Sequence, residues 1–328
     1  MSNAGSAIPY HLRPNKVVER EIFVDLLCWL SGPVRIDQYR YIGLGGPFLE
    51  DFRLLHSRTA ICKMTCVERE RATHARQLFN RPVRLVDCVL GDLDEVLRNR
   101  TYEEPVICWL DFTDPKGLRD KLDLFCFMVE QAPSESILKI TLNASPSGLG
   151  TVSTADADEM REARLQRLRN DLGDYLPASS TSDHVKAASY GPLLLSALKL
   201  ALEKRLEATR CRFLGLNSFL YADGQQMVSA TGITLLDEEL EGFLARVDVR
   251  SWPYCWSEWW VPRVLDMPVL SARERLLLES RLHDDGIAKA EDVLEFALPD
   301  LALARNMDVL VMLREYYRHY PQFGRVSY

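Results

Sequence analysis

One stretch constrains the fold more than any other. Tyr39 to Phe52 reads Tyr-Arg-Tyr-Ile-Gly-Leu-Gly-Gly-Pro-Phe-Leu-Glu-Asp-Phe. Tyr39 to Ile42 predicts a short strand, Gly43, Gly45 and Gly46 a tight turn, and Phe48 to Arg58 a helix. A second strand follows over Ile61 to Val67 and ends on the carboxylate of Glu68. Glycine lets the backbone turn sharply and lets a ligand approach it closely. A carboxylate about twenty residues further on can accept hydrogen bonds from ribose hydroxyls. Strand, turn, helix, strand and acid together make half of a nucleotide-binding α/β sheet.

The same stretch restricts the ligand. A diphosphate needs free N–H groups at the start of the helix. Pro47 removes one of them, and Glu50 and Asp51 place negative charge in the first turn. The turn therefore favours an adenosine ligand without phosphate, such as S-adenosylmethionine. The competing reading is a glycine turn that binds nothing.

The flanking segments extend the pattern. Asn15 is the expected N-cap of a helix from Lys16 to Leu30, and His11, Arg13 and Lys16 make a polar cluster ahead of the first strand. That cluster either folds over a ligand or packs as a surface arm. A helix over Glu70 to Phe79 leads to a third strand, Val83 to Leu90. Asp92 follows it, suited to an adenine amino group or to capping the next helix. Pro105 to Leu110 is the clearest buried strand. Ligands of open α/β sheets sit beyond the carboxyl ends of the strands, so Asp111 and Asp114 should face the cleft. They are candidates for a general base, metal ligands or a cap of the helix Leu118 to Gln131. A fifth strand spans Ile137 to Leu142, and residues 144–210 read as a long, mainly helical insertion, a plausible substrate lid. Asp223-Gly224 between two apolar runs, Cys211 to Ala222 and Gln226 to Leu235, predicts a terminal antiparallel hairpin. His56 reads as a packed, hydrogen-bonded side chain rather than a catalyst.

Beyond residue 236 the pattern becomes helical, with Trp252, Trp256, Trp259 and Trp260 crowded together. Such a cluster serves a small core, a partner or dimer contact, or stacking on a planar ligand. Helices are expected from Ser271 to Leu282, from Glu291 to Leu298 and from Leu301 to Tyr320. The division expected is a Rossmann-like domain over 8–236 and a small helical region over 237–328.

Composition excludes several classes. The 328 residues are 47% hydrophobic and 27% charged, with a formal net charge of -7, which does not favour nucleic acid as a partner. Eight cysteines without a C-x-x-C pair predict buried free thiols in a cytoplasmic protein and no zinc. Neither a long apolar span nor a basic-then-apolar leader is present, so no membrane association is expected.

Tyr41-Ile-Gly-Leu-Gly-Gly, Glu50-Asp-Phe-Arg-Leu-Leu-His56, Val67-Glu68, Trp109-Leu-Asp-Phe112, Thr141-Leu-Asn143 and Asp223-Gly224 with Met227 resemble class I SAM-dependent methyltransferases. More narrowly they resemble a bacterial family of O-methyltransferases, over roughly Pro9 to Leu235. The resemblance implies a seven-stranded sheet ending in the antiparallel hairpin. It implies that Gly43, Gly45 and Gly46 line the methionine part of SAM, that Glu68 holds the ribose and that Asp92 meets the adenine. Asp111, with Asp114, would stand at the catalytic edge. The paired prolines of amino-methylating DNA enzymes are missing after Asp111, which points to oxygen as the methylated atom. Asp111, Asp114 and Asn143 approximate the cation site of metal-dependent O-methyltransferases. Tyr41 and Pro47 depart from the broad pattern and favour an alternative, a SAM-sensing or inactive scaffold with the tryptophan-rich region as its contact surface. The acceptor is not specified by the sequence.

Overall fold

The computed structural model describes residues 13–151, 156–305 and 307–320. Its strands are β1 (Arg40–Gly43), β2 (Lys63–Glu68), β3 (Val86–Leu90), β4 (Val106–Phe112), β5 (Ile137–Asn143), β6 (Cys211–Asp223), β7 (Gln225–Leu236) and β8 (Arg263–Leu265). They form one sheet in the order β3-β2-β1-β4-β5-β7-β6-β8. Strands β1 to β5 run parallel, β7 lies antiparallel to β5, and β6 lies antiparallel to β7. The Asp223–Gln225 hairpin turns on Gly224, whose φ of +96° suits glycine.

The helices are α1 (Pro14–Leu30), α2 (Glu50–Thr59), α3 (Arg71–Asn80), α4 (Leu93–Arg98), α5 (Leu118–Gln131), α6 (Ala157–Leu172), α7 (Ala187–Leu206), α8 (Leu240–Arg246), α9 (Ala272–Arg281), α10 (Glu291–Leu294) and α11 (Val309–Tyr316). Side chains alternate across a strand, so each face of the sheet collects every second residue. Ile107, Trp109 and Ile137 face one core with α1, α2, α9 and α11. Cys108, Leu110, Leu138, Ile140 and Leu142 face a second core with α5, α6 and α7.

The structure departs from the sequence-based expectations at several points. The sheet has eight strands rather than seven among the described residues. Arg263–Leu265 pairs in parallel with Phe219–Tyr221 and covers part of the outer edge of β6, which would otherwise stand unpaired. Helix α2 starts at Glu50, not Phe48, because Leu49 adopts φ +52°. Asn15 does not cap α1. Pro14 occupies the first turn, and the Asn15 side chain bonds elsewhere. The helix expected from Glu291 stops at Leu294, where Glu295 takes φ +63°. The helix expected from Leu301 is confined to Val309–Tyr316. Helix α9 carries its capping box, Ser271 with Glu274.

The tryptophans are packing residues. Trp252 is buried and donates from Nε1 to Asp25 Oδ2 at 2.8 Å. Trp256 packs edge-on against Phe219, and Trp259 against Phe213. A Cβ on Gly215 would come within 2.2 Å of the Trp259 ring, so a side chain there would displace the indole. All eight cysteines are free thiols, and Cys62 is exposed, contrary to the expectation of burial. Among the described residues no helix is long and apolar enough to cross a membrane. His11 lies outside the described residues.

Candidate functional site at the carboxyl edge of the sheet

The carboxyl edge collects the residues marked out by the sequence. Gly43 lies level with Cys66 of β2 and Trp109 of β4, so Glu68 and Asp111 each stand two residues further along their strands. The Gly91 N–H donates to Glu68 O at 3.0 Å, which holds the loop bearing Asp92 beside the end of β2. Along the edge the order is therefore Asp92, Glu68, the glycine turn, Asp111 and Asn143.

Each part of the turn has a local cause. Gly45 and Gly46 adopt φ +63° and +52°. A Cβ on Gly45 would meet Phe52 at 2.6 Å and Leu49 at 2.7 Å. A Cβ on Gly43 would meet the Tyr41 hydroxyl at 2.7 Å. Helix α3 fixes the turn from outside. Gln77, fully buried, donates from Nε2 to Leu44 O at 3.2 Å and Gly46 O at 3.0 Å. Asn80 Nδ2 donates to Pro47 O at 2.9 Å. Neither Gln77 nor Asn80 was marked by the sequence. A helical position that stays polar gives no sign that it closes a loop.

The carboxylates differ in how far they are used. Glu68 Oε1 accepts from Glu70 N at 2.8 Å, and its second oxygen has no partner among the described residues. Asp92 caps α4 by accepting from Asp94 N at 2.9 Å, so the capping role is realised. Asp111 Oδ2 accepts from Lys16 Nζ at 2.9 Å, while Oδ1 is buried without a hydrogen-bond partner among the described residues. Asp114 is exposed and accepts from Lys116 N at 3.0 Å, whereas Gly117 stands at the N-cap of α5. Asn143 is saturated: Nδ2 donates to Thr113 O at 2.9 Å and Oδ1 accepts from Ser145 N at 2.9 Å. Among the described residues no group of three or more His, Cys, Asp or Glu side chains is placed to hold a metal ion.

Behind this edge lies a charged layer that the sequence did not disclose. Helix α1 buries Asn15, Lys16, Glu19 and Arg20 against the sheet. Lys139, in the middle of β5, pairs with Glu19 and lies 4.9 and 4.8 Å from the rings of Phe23 and Trp109. Ser229 Oγ donates to Glu19 Oε1 at 2.6 Å. Arg20 pairs with Asp51 and with Glu50, 3.5 Å away. Burial pushes the Lys139 ammonium down against the pull of Glu19. It pushes Asp51 up in spite of Arg20, and the Tyr41 and Tyr221 hydroxyls up with it. The signal available was Lys139 itself, one cation inside the apolar run Ile137 to Leu142. The start of α1 is clamped over the edge: Lys16 N donates to Asp223 Oδ2 at 2.7 Å, and Asn15 Nδ2 to Ala222 O at 2.8 Å.

The acceptor atoms left at the edge suit a cationic, hydroxyl-rich ligand without phosphate. Glu50 and Asp51 occupy the first turn of α2, as the sequence implies, with Arg20 paired to both. Sheet order and the reversed strand match the class I methyltransferase fold. A family model described as "Putative O-methyltransferase" matches residues 8–328, and the chain belongs to that family. It is a methyltransferase, and the methyl donor of its class is S-adenosylmethionine.

Solved structures resemble the chain at low identity. Trm1 from Pyrococcus horikoshii, in complex with S-adenosyl-L-methionine, aligns at TM-score 0.46 and 12% identity, over 74% of this chain and 61% of that one. The N-methyltransferase NodS from Bradyrhizobium japonicum aligns at 0.36 and 11%, over 66% and 97%. Fibrillarin from Methanococcus jannaschii, a pre-rRNA processing protein, aligns at 0.37 and 11%, over 60% of this chain and 66% of its own. No curated protein matches the chain.

Proposed function

We propose that the chain transfers a methyl group from S-adenosylmethionine to the hydroxyl oxygen of an acceptor, at the edge formed by β1, β2 and β4. The observation that carries this reading is the pair of unused acceptor atoms, the second oxygen of Glu68 and Oδ1 of Asp111, on either side of the glycine turn. The family description and the missing paired prolines after Asp111 support oxygen as the target.

In this assignment Gly43, Gly45 and Gly46 let the backbone approach the methionine part. Glu68 accepts from the ribose hydroxyls, and Asp92 accepts from the adenine amino group through the oxygen that does not cap α4. The bound donor supplies a sulfonium methyl: the new O–C bond forms as the S–C bond breaks, and sulfur leaves as a neutral thioether. The Asp111 carboxylate is the group assigned to receive the proton of the acceptor hydroxyl. Lys16 fixes one of its oxygens, so the carboxylate is oriented before the acceptor arrives. Asp114 is a second carboxylate on the loop beyond and is exposed. Most of the acceleration comes from holding oxygen and methyl in line.

Binding and chemistry are tested separately. S-adenosylhomocysteine at a hundredfold excess over its Kd should stabilise the wild type by about 2.7 kcal/mol. Glu68→Ala should lose that stabilisation and keep its fold; retention would remove Glu68 from the ribose site. Asp111→Asn should abolish transfer while S-adenosylhomocysteine still binds. Full activity in that variant would remove Asp111 as the base.

A further inference from the structure

A concavity opens beside the same edge. It encloses about 580 Å³ between the β6–β7 hairpin, the loop after β5 and the insertion helices α6 and α7. That volume fits a single-ring molecule. Its wall carries Arg161 and Arg164 from α6 and Lys186 just before α7, and no carboxylate lines it. Arg161 and Lys186 each pair with an aspartate outside the lining, Asp158 and Asp183, whose side chains are 80% and 72% exposed. Such exposed pairs are weak and leave the cations available. Arg164 is engaged only through Nε, which donates to Gly150 O at 3.3 Å, so the rest of its fork has no partner among the described residues. Arg161 Nε is buried without a partner. Helix α7 opens beside Lys186 without a side-chain cap, with Ala187 on the cavity wall.

The cavity adjoins the carboxyl end of β5, whose loop is tied to the segment after β4. Asn143 joins the start of its loop to Thr113, two residues after Asp111. The same loop packs on Pro115, which a Cβ on Gly148 would approach to 2.5 Å. We propose that this cavity holds the oxyanion, carboxylate or phosphate, of a small acceptor. The proposal rests on the methyltransferase reading for the reaction, but its recognition chemistry stands on the cavity alone. A guanidinium fork matches the geometry of a carboxylate or phosphate. The formal net charge of -7 sets a polyanion apart from a small anion.

Calorimetry on the full chain decides it, with and without S-adenosylhomocysteine. The probes are 3,4-dihydroxybenzoate, its neutral counterpart 3,4-dihydroxybenzyl alcohol, inorganic phosphate and a single-stranded oligonucleotide. The acid should bind at least about tenfold more tightly than the alcohol, as one charged hydrogen-bonding contact requires. Phosphate should compete with the acid. Arg164→Gln should erase the difference between acid and alcohol, and the milder Lys186→Gln should reduce it severalfold. Both variants should bind S-adenosylhomocysteine like the wild type. Equal affinity for acid and alcohol, no binding of the acid, a difference that survives both substitutions, or tighter binding of the oligonucleotide than of the acid would each overturn the proposal. Failure of the wild type to bind S-adenosylhomocysteine would instead sink the donor-site assignment, and the acid-to-alcohol ratio would still judge the cavity.

Discussion

The two faces of one sheet are built on opposite principles. Toward α5, α6 and α7, β4 and β5 present Cys108, Leu110, Leu138, Ile140 and Leu142, all apolar and buried. Toward α1, the same strands present Trp109, Asp111, Lys139 and Thr141, and the helix answers with Lys16, Glu19 and Arg20. The apolar face gains from burial alone, roughly 25 cal/mol per Å². The charged face must recover the cost of desolvating several ions, and buried pairs often only break even against hydrophobic substitutes. The difference shows which face carries the clamp over the carboxyl edge. Buried charge is retained on the face whose helix reaches the carboxyl edge, where Lys16 holds Asp111. On the other face the strands are held to their helices by apolar packing.

Substitutions can break or sharpen this contrast. The largest effect is expected for Glu19→Gln, which leaves Lys139 charged in an apolar setting. Chemical denaturation should show a loss of about 3–5 kcal/mol. The double change Glu19→Leu with Lys139→Met should regain most of it, since no uncompensated ion remains. A double variant as unstable as the single would show that the pair is a net stabiliser. On the apolar face, Leu142→Ala should cost about 2–5 kcal/mol with unchanged affinity for S-adenosylhomocysteine. A change in affinity there would erase the functional distinction between the faces. Lys16→Met should cost less stability but lower kcat, with little change in donor binding, because Asp111 loses its orienting partner. An unchanged kcat would make the ion pair structural only.

The smallest effect is a pH dependence on the α1 side. His319 packs edge-on to Tyr254, and burial lowers its pKa below the ordinary 6.5. The folded state thus binds the proton less readily than the unfolded chain. Its contribution to stability is complete above pH 6.5 and is lost as the pH falls through the lowered value. His319→Phe should flatten the stability profile in that window. A wild-type profile already flat there would show that His319 charges without cost.

Much of the architecture was legible because it rests on local chemistry. The glycine turn, the five parallel strands and the Asp223-Gly224 hairpin follow from residues whose backbone preferences point one way. Leu165, Leu168 and Leu172 turned inward on α6 as their spacing requires. The remainder depends on residues far apart in the chain. Nothing near Arg263 says that it will pair beside Phe219, and nothing near Glu19 announces Lys139. Asn15 looked like a cap, but two distant backbone groups outcompeted its own helix for that side chain. At the site, positions along the edge could be read from strand ends. Lys16 stood in the polar cluster seen ahead of the first strand, yet its partner at Asp111 emerged only with the fold.

The clamp at the start of α1 also bears on the chain's birth. Asn15 bonds to Ala222, 207 residues later, and to Met267, 252 residues later. At about 5–20 residues per second, the first helix leaves the ribosome on the order of ten seconds or more before its last partner is made. Through that interval Glu19 and Arg20 remain solvated, and the apolar stripe of Ile22, Phe23 and Leu26 has no sheet face complete enough to cover it. The segment that clamps the carboxyl edge is thus made well before its partners and is among the last to dock.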